Sequence, residues 1–223
     1  MTQLTTVHLV RHGEVDNPDG IIYGRRDGFH LTALGHAMAE GVGRYFADRD
    51  VRAVIASPLE RAMETAAPTA RRHGLEVRTD ARLLEAGNRF EGVNVNRNRW
   101  VLARPKYWSW YLDPFLPGWG EPYREIAERM SGAVRAGITA ARGGEAVLVS
   151  HQLPIWVERL FVERRSVSHD PRHRQCSLCS VTSLTFEGRR LIAVDYAEPV
   201  ADLLASARDV SPGQSAASLN EGK

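Results

Sequence analysis

Two histidines follow short apolar, β-branched runs: His12 in Leu9-Val10-Arg11-His12-Gly13-Glu14, and His151 in Leu148-Val149-Ser150-His151. Each run has the composition of a buried strand, so each imidazole is expected just past a strand's carboxyl end. Ligands of open α/β sheets bind in the crevice outside those ends. Two such ends can therefore bring imidazoles from distant parts of the chain into one cleft. Arg11 adds a planar guanidinium suited to gripping phosphate oxygens. A histidine nucleophile flanked by arginine, attacking a phosphoryl group, is the chemistry these residue types suggest.

The elements that must position them follow from local pattern. Residues 4–10 read as a strand, followed by a glycine-containing loop. Thr32 can cap a helix to about Asp48, with Leu34, Met38, Val42, Tyr45 and Phe46 along one face. Residues 51–56 form the next strand. Ser57-Pro58-Leu59-Glu60 then reads as a helix start, with Ser57 as N-cap, Pro58 at the first helical position and Glu60 completing a capping box. Gly74 can supply the left-handed residue that ends that helix. A third helix runs from Tyr123 to about Arg142, a strand covers 146–150, and a helix covers 153–162 with Pro154 in its first turn. Strands near 178–186 and 191–196 are joined by a turn at Glu187-Gly188. Alternating strands and helices predict an α/β layered sandwich, with a mostly parallel central sheet flanked by helices on both faces. No linker divides the motifs, so residues 1–204 read as one domain. Residues 205–223 are rich in Ser, Ala and Gly without apolar periodicity and are expected to be a mobile tail.

Bulk properties limit the function classes. The net charge is +2, and the 29 basic residues include only two lysines, Lys106 and Lys223. This reads as a coding preference for arginine, and nucleic acid is not an expected partner. No apolar run approaches the roughly 20 residues of a membrane-spanning helix. The first residues lack a basic, then apolar, secretory signal, so a cytoplasmic location and no membrane partner are expected. The two cysteines cannot form a disulfide framework. His169, His173, Cys176 and Cys179 have the residue types of a zinc site. Leu178, Val181, Leu184 and Phe186 nonetheless make this region read as a strand, on which Cys176 and Cys179 would not converge, so no metal is assigned.

Further residues match a known family in order. Arg11-His12-Gly13-Glu14 resembles the signature of the histidine phosphatase superfamily, also called phosphoglycerate-mutase-like. Gly24-Arg25 and Leu31-Thr32-x-x-Gly35 resemble its loop and first-helix entry, and Ser57-Pro58-Leu59-x-Arg61-Ala62-x-x-Thr65-Ala66 its second arginine motif. Leu84-Glu85 followed by Glu91-Gly92 is similar to its acid-bearing segment, and Val149-Ser150-His151 to its second-histidine motif. The resemblance covers roughly residues 4–196 and is weakest over 93–119. It implies a phosphoglycerate-mutase-like fold and a phosphohistidine intermediate on His12. Arg11, Arg61 and His151 would hold the phosphoryl oxygens, and Glu85 would be the general acid and base. Asn17, Arg25 and Gln152 are further candidate contacts to substrate. Glu14 competes with Glu85 as a carboxylate near His12, but a structural role in the loop is the better reading. His8 reads as a core residue, and His30, His36, His73, His169 and His173 as surface residues.

Three departures bear on activity. Gln152 stands where many relatives carry glycine, and Asn17 follows His12 by five positions where mutase-like sequences show six. The acid segment Glu85-Ala86-Gly87-Asn88-Arg89-Phe90 lacks the Arg-His-Tyr that mutases use to grip phosphoglycerate. Hydrolysis of a small phosphorylated metabolite, with no cofactor and no metal, is thus expected ahead of mutase transfer. A non-catalytic phosphate- or phosphoprotein-binding module is the reading from another class, and the complete His-Arg-Arg-Glu-His set argues against it. Residues 93–119 hold Trp100, Trp108, Trp110 and Trp119 with Tyr107, Tyr111 and Phe115. They read equally as an aromatic lid over the site or as a local cluster or dimer surface. A homodimer is compatible with each function.

Overall fold

The parallel strands β1 (Leu4–Arg11), β2 (Val51–Ala56), β3 (Val77–Thr79) and β4 (Glu145–Ser150) join the antiparallel strands β5 (Val181–Glu187) and β6 (Arg190–Ala197) in one sheet. The strand order is β3-β2-β4-β1-β5-β6. This is a computed structural model, and it describes residues 3–93, 105, 120–209 and 211. The helices are α1 (Ala33–Tyr45), α2 (Glu60–Arg72), α3 (Tyr123–Ala141), α4 (Gln152–Val162) and the short α5 (Ala201–Leu204). The aromatic segment lies outside the described residues, apart from Val93 and Pro105.

Alternation along the central strands produces two cores. Val7, Leu9, Ile55 and Leu148 face the layer of α3 and α4, where they meet Ile126, Met130, Ile155 and Val157. Val10, Val54, Val147 and Val149 point the other way, onto Met38 and Val42 of α1, Phe46 at its C-cap, and Ala62 and Ala66 of α2. A strand buried on both faces reads as a nearly continuous apolar run, which is why β1 and β4 are legible. Each fully buried Val or Leu contributes about 1.5–3 kcal/mol. The expected α/β sandwich with helices on both faces is thus observed.

Helix α1 begins as expected: the Thr32 hydroxyl accepts from the Gly35 N–H at 2.9 Å. Gly35 has a further role, because a Cβ there would lie 2.1 Å from the Glu14 carbonyl oxygen. Glycine alone lets α1 approach the loop after β1 so closely. Helix α2 ends at Arg72, and Gly74 has the expected left-handed backbone at φ 64°.

Several expectations are corrected. Helix α2 starts at Glu60 with Leu59 as N-cap, and no side chain caps it. The Ser57 hydroxyl is engaged by His151 Nε2 at 2.9 Å, and the Glu60 carboxylate accepts from the Gly28 N–H at 3.0 Å. The Ser57 Oγ also accepts from the Leu59 N–H at 3.5 Å, ahead of the helix, so both side chains of the expected capping box are engaged outside it. The region around the cysteines is a turn, with Cys179 at φ 56°, and β5 begins only at Val181. The segment expected as a tail from residue 205 starts with packed residues: Ala207 and Asp209 are buried. No helix among the described residues is long and apolar enough to cross a membrane.

Candidate active site

Strand register builds the centre. β1 and β4 are neighbours in parallel, with Arg11 opposite Ser150, so the chain leaves both strands at one edge with His12 beside His151. The His12 N–H donates to the Ser150 carbonyl at 3.1 Å, and the two imidazole centroids lie 5.2 Å apart. Both rings are buried.

His12 Nδ1 lies 2.8 Å from the Gly13 carbonyl oxygen, which can only accept, so Nδ1 carries the proton. In the neutral ring Nε2 is then free to act as a nucleophile. Desolvation, followed by the Arg61 and Arg11 guanidiniums, holds the His12 pKa well below its ordinary value. The His151 pKa is held down likewise, by burial and then by Arg61. The Ser57 Oγ accepts from the Leu59 N–H at 3.5 Å, so its own proton is assigned to His151 Nε2; Nδ1 then carries the ring proton and has no partner among the described residues.

Arg61, at the start of α2, is buried. Its Nη2 donates to the Gly24 carbonyl at 2.6 Å, and its Cζ stands 4.7 Å from the Tyr23 ring centroid. Its Nε and Nη1 have no partner among the described residues. Thr65, one turn along α2, locks this helix to the loop after β1. Its hydroxyl accepts from the Gly13 N–H at 3.1 Å and donates to the Arg61 carbonyl at 2.7 Å.

Arg11 is held differently from the sequence expectation. Asp209 grips it with two bonds, to Nη1 at 2.7 Å and Nη2 at 2.8 Å, and Nη1 also donates to the Cys176 carbonyl at 2.8 Å. Burial works against its charge, and Asp209 more than compensates, raising the pKa. Only Nε is left without a partner. The unpartnered donors beside His12 are therefore Arg11 Nε, Arg61 Nε and Nη1, and His151 Nδ1. Buried donors without partners are costly in a folded protein, and a tetrahedral anion is the ligand that would satisfy them together.

Glu85 follows the single-turn 3-10 helix Ala81–Leu83. Its Oε1 accepts from the Ala86 N–H at 2.8 Å. Burial raises its carboxyl pKa, against that hydrogen bond and the pull of Arg61 and Arg11. Glu14 does not share this role: it accepts from the Thr32 hydroxyl at 2.5 Å and the Arg208 N–H at 2.6 Å, tying the loop after β1 to α1 and the C-terminal segment.

The remaining candidates divide. Asn17 spends its amide locally, donating to the Ile21 carbonyl at 3.0 Å and accepting from the Ile21 N–H at 3.1 Å. Arg25 donates to the Glu85 carbonyl at 2.6 Å and pairs with Glu121 at 2.8 Å, so it braces the acid segment. Gln152 is buried beside His151, with its Nε2 unpartnered.

The sequence reading missed Tyr23, Asp209 and Arg174. Tyr23 sits next to Gly24-Arg25, and its ring lies edge-on to His12 with centroids 6.4 Å apart. Asp209 carried no local signal. His169, expected at the surface, is partly buried between Tyr123 and Trp156, with centroids at 5.3 and 6.1 Å. Its Nε2 accepts from Arg174 Nε at 2.8 Å. His8 is the expected core residue, bonded to Ser183 at 2.8 Å and Glu145 at 2.9 Å. Among the described residues no group of three or more His, Cys, Asp or Glu side chains could hold a metal ion. Burial pushes the thiols of Cys176 and Cys179 up to about 11 and about 12.

Comparison with known proteins accords with this geometry. The family model for the histidine phosphatase superfamily (branch 1) matches residues 7–199, and the chain belongs to that superfamily. Its members include phosphatases and phosphoglycerate mutases, and the chain is accordingly an enzyme of phosphatase or mutase type. It is 52% identical over 201 residues to Rv0525 of Mycobacterium tuberculosis, covering 90% of this chain and 100% of that protein. A probable phosphoglycerate mutase, GpmB of Cronobacter sakazakii, is 32% identical over 67% of this chain and 70% of its own length. The mycobacterial glucosyl-3-phosphoglycerate phosphatase Rv2419c, solved with inorganic phosphate, superposes with a TM-score of 0.68 at 25% identity, covering 86% of this chain and 95% of that one.

Proposed function

We propose that the chain is a phosphomonoesterase that hydrolyses a small phosphorylated metabolite through a phosphohistidine on His12. The observation that carries this reading is a buried imidazole with an unprotonated Nε2, close to His151 and under the charges of Arg61 and Arg11, whose unpartnered atoms number four in all. In the first step Nε2 attacks phosphorus, the P–O bond to the leaving group breaks, and Glu85 gives its proton to the leaving oxygen. In the second step water attacks the phosphohistidine, Glu85 takes its proton, and the P–N bond breaks to release phosphate. Arg11 Nε, Arg61 and the His151 N–H donate to the equatorial oxygens, so the scheme needs no metal. A mutase reading is favoured by the GpmB relative, and an assay for isomerisation of 3-phosphoglycerate separates the two.

Purified wild type is expected to release phosphate from part of a panel of p-nitrophenyl phosphate, sugar phosphates, phosphoglycerates and nucleotides, in the presence of EDTA. His12→Ala should be inactive on all of them, and turnover surviving in that variant would end the phosphohistidine mechanism.

The pH profile follows from two shifts of opposite sign. Turnover needs His12 neutral and Glu85 protonated. The His12 pKa is lowered and the Glu85 pKa raised, so the acid limb moves down and the alkaline limb moves up. Hydrolysis of an alkyl phosphate is expected to fall as pH rises through the Glu85 pKa. In Glu85→Gln the rate should be lower and that limb absent. An unchanged limb in Glu85→Gln would assign the proton to another group.

A further inference from the structure

Arg174 is a buried guanidinium outside the set that the proposed mechanism uses. It lies on the chain between the single-turn 3-10 helix Pro171–His173 and Cys176, whose carbonyl holds Arg11. Its Nε donates to His169 Nε2 at 2.8 Å, and its Nη1 to the Gln152 Oε1 at 3.3 Å. His169 is neutral when it accepts this bond, because its Nδ1 already donates to the Val167 carbonyl at 2.7 Å. Arg174 forms no ion pair among the described residues, although Tyr123 and Glu85 are near enough to act on its charge. A buried charge normally has a counter-charge, because desolvating it alone costs several kcal/mol. Gln152, next to His151 in the chain, presents a buried Nε2 without a partner. Trp156, one turn along α4, has a buried Nε1 without a partner as well. This side of the candidate phosphate site thus offers unpartnered donors and a positive charge with no ion-pair partner among the described residues.

We propose that Arg174, with Gln152, forms a second anion subsite that receives a carboxylate or phosphate carried on the leaving-group side of the substrate. The substrate class is then a phosphomonoester with a second anionic group. This deepens the phosphatase reading and rests on it. The subsite also gives Gln152 a physical purpose: its amide oxygen orients Arg174 while its NH₂ faces the ligand.

Three probes of matched length test it: n-butyl phosphate, 4-phosphooxybutanoate and 1,4-butanediol bisphosphate. Wild type is expected to prefer both anionic probes by about 10–100-fold in kcat/KM, the range of a charge-assisted hydrogen bond to a buried partner. The ratio of the two anionic probes tells a carboxylate site from a phosphate site. In Arg174→Gln the preference should collapse to near unity, and Arg174→Lys should retain part of it. A merely structural role would slow all three probes alike and leave the ratio intact, and that result overturns the proposal. Wild type without a preference does so too, whatever the variants' folding. Calorimetric binding of the same probes to His12→Ala separates this proposal from the underlying one. Selective binding without turnover by wild type would sink the phosphatase and keep the subsite. Turnover of butyl phosphate without selectivity would do the reverse.

Discussion

Asp209→Ala is expected to cost about 3–5 kcal/mol of stability, the usual penalty for removing one partner of a buried ion pair. For a domain of this size that corresponds to roughly 6–20 °C in Tm. The reason is the Arg11 guanidinium, which is buried with a carboxylate on two of its nitrogens. Without Asp209 the charge stays in the protein with only the Cys176 carbonyl to accept from it. Replacing both residues with apolar ones of similar size, as in Arg11→Met with Asp209→Leu, should recover most of the stability, since neither charge then needs solvation. Turnover should not return with it, because the Nε donor beside His12 is gone. Thermal melts and phosphate release on the single and double variants check both halves. A neutral Asp209→Ala would mean that Arg11 finds another acceptor and that the C-terminal segment is dispensable to the site.

Arg61→Lys should have the opposite profile, a large loss of rate with little loss of stability. Arg61 pairs with no carboxylate among the described residues, and its one bond is to the Gly24 carbonyl. Its Nε and Nη1 have no partner among the described residues and are left to donate to phosphoryl oxygens from fixed positions. Lysine keeps the charge but not the planar set of donors that Gly24 and Tyr23 hold in place. Loss of a preorganised donor of this kind costs about 3–4 kcal/mol of transition-state stabilisation, a fall of roughly 100- to 1,000-fold in kcat/KM. A rate within threefold of wild type would show that Arg61 does not touch the transferring group.

These two arginines mark how far the sequence can be read. Both belong to motifs, and the residue types alone suggested phosphate chemistry. The strands that end at Arg11 and Ser150 were legible because both faces of the sheet are covered, which leaves nearly continuous apolar runs. The Thr32 cap of α1 and the Gly74 stop of α2 were legible because each acts within a few residues of itself. The failures share a different cause. Ser57 has every local property of a cap, yet the helix begins only at Glu60 and the Ser57 hydroxyl lies against an imidazole brought up by β4. The partners of Arg25, the Glu85 carbonyl and the Glu121 carboxylate, lie 60 and 96 positions along the chain, beyond any local signal.

Local pattern thus suffices to read the layered α/β architecture, the strand-end position of His12 and His151, and the residue types of the candidate site. Those follow from periodicity and short-range stereochemistry, which act along the chain. The acceptor that each long polar side chain finds is set by folding in three dimensions. Arg11 pairs with Asp209, and Arg174 is left with His169 and Gln152 and no counter-charge among the described residues. The reason is physical: a buried guanidinium bonds whatever acceptor the fold carries to within about 3 Å, and distance in sequence places no limit on that choice.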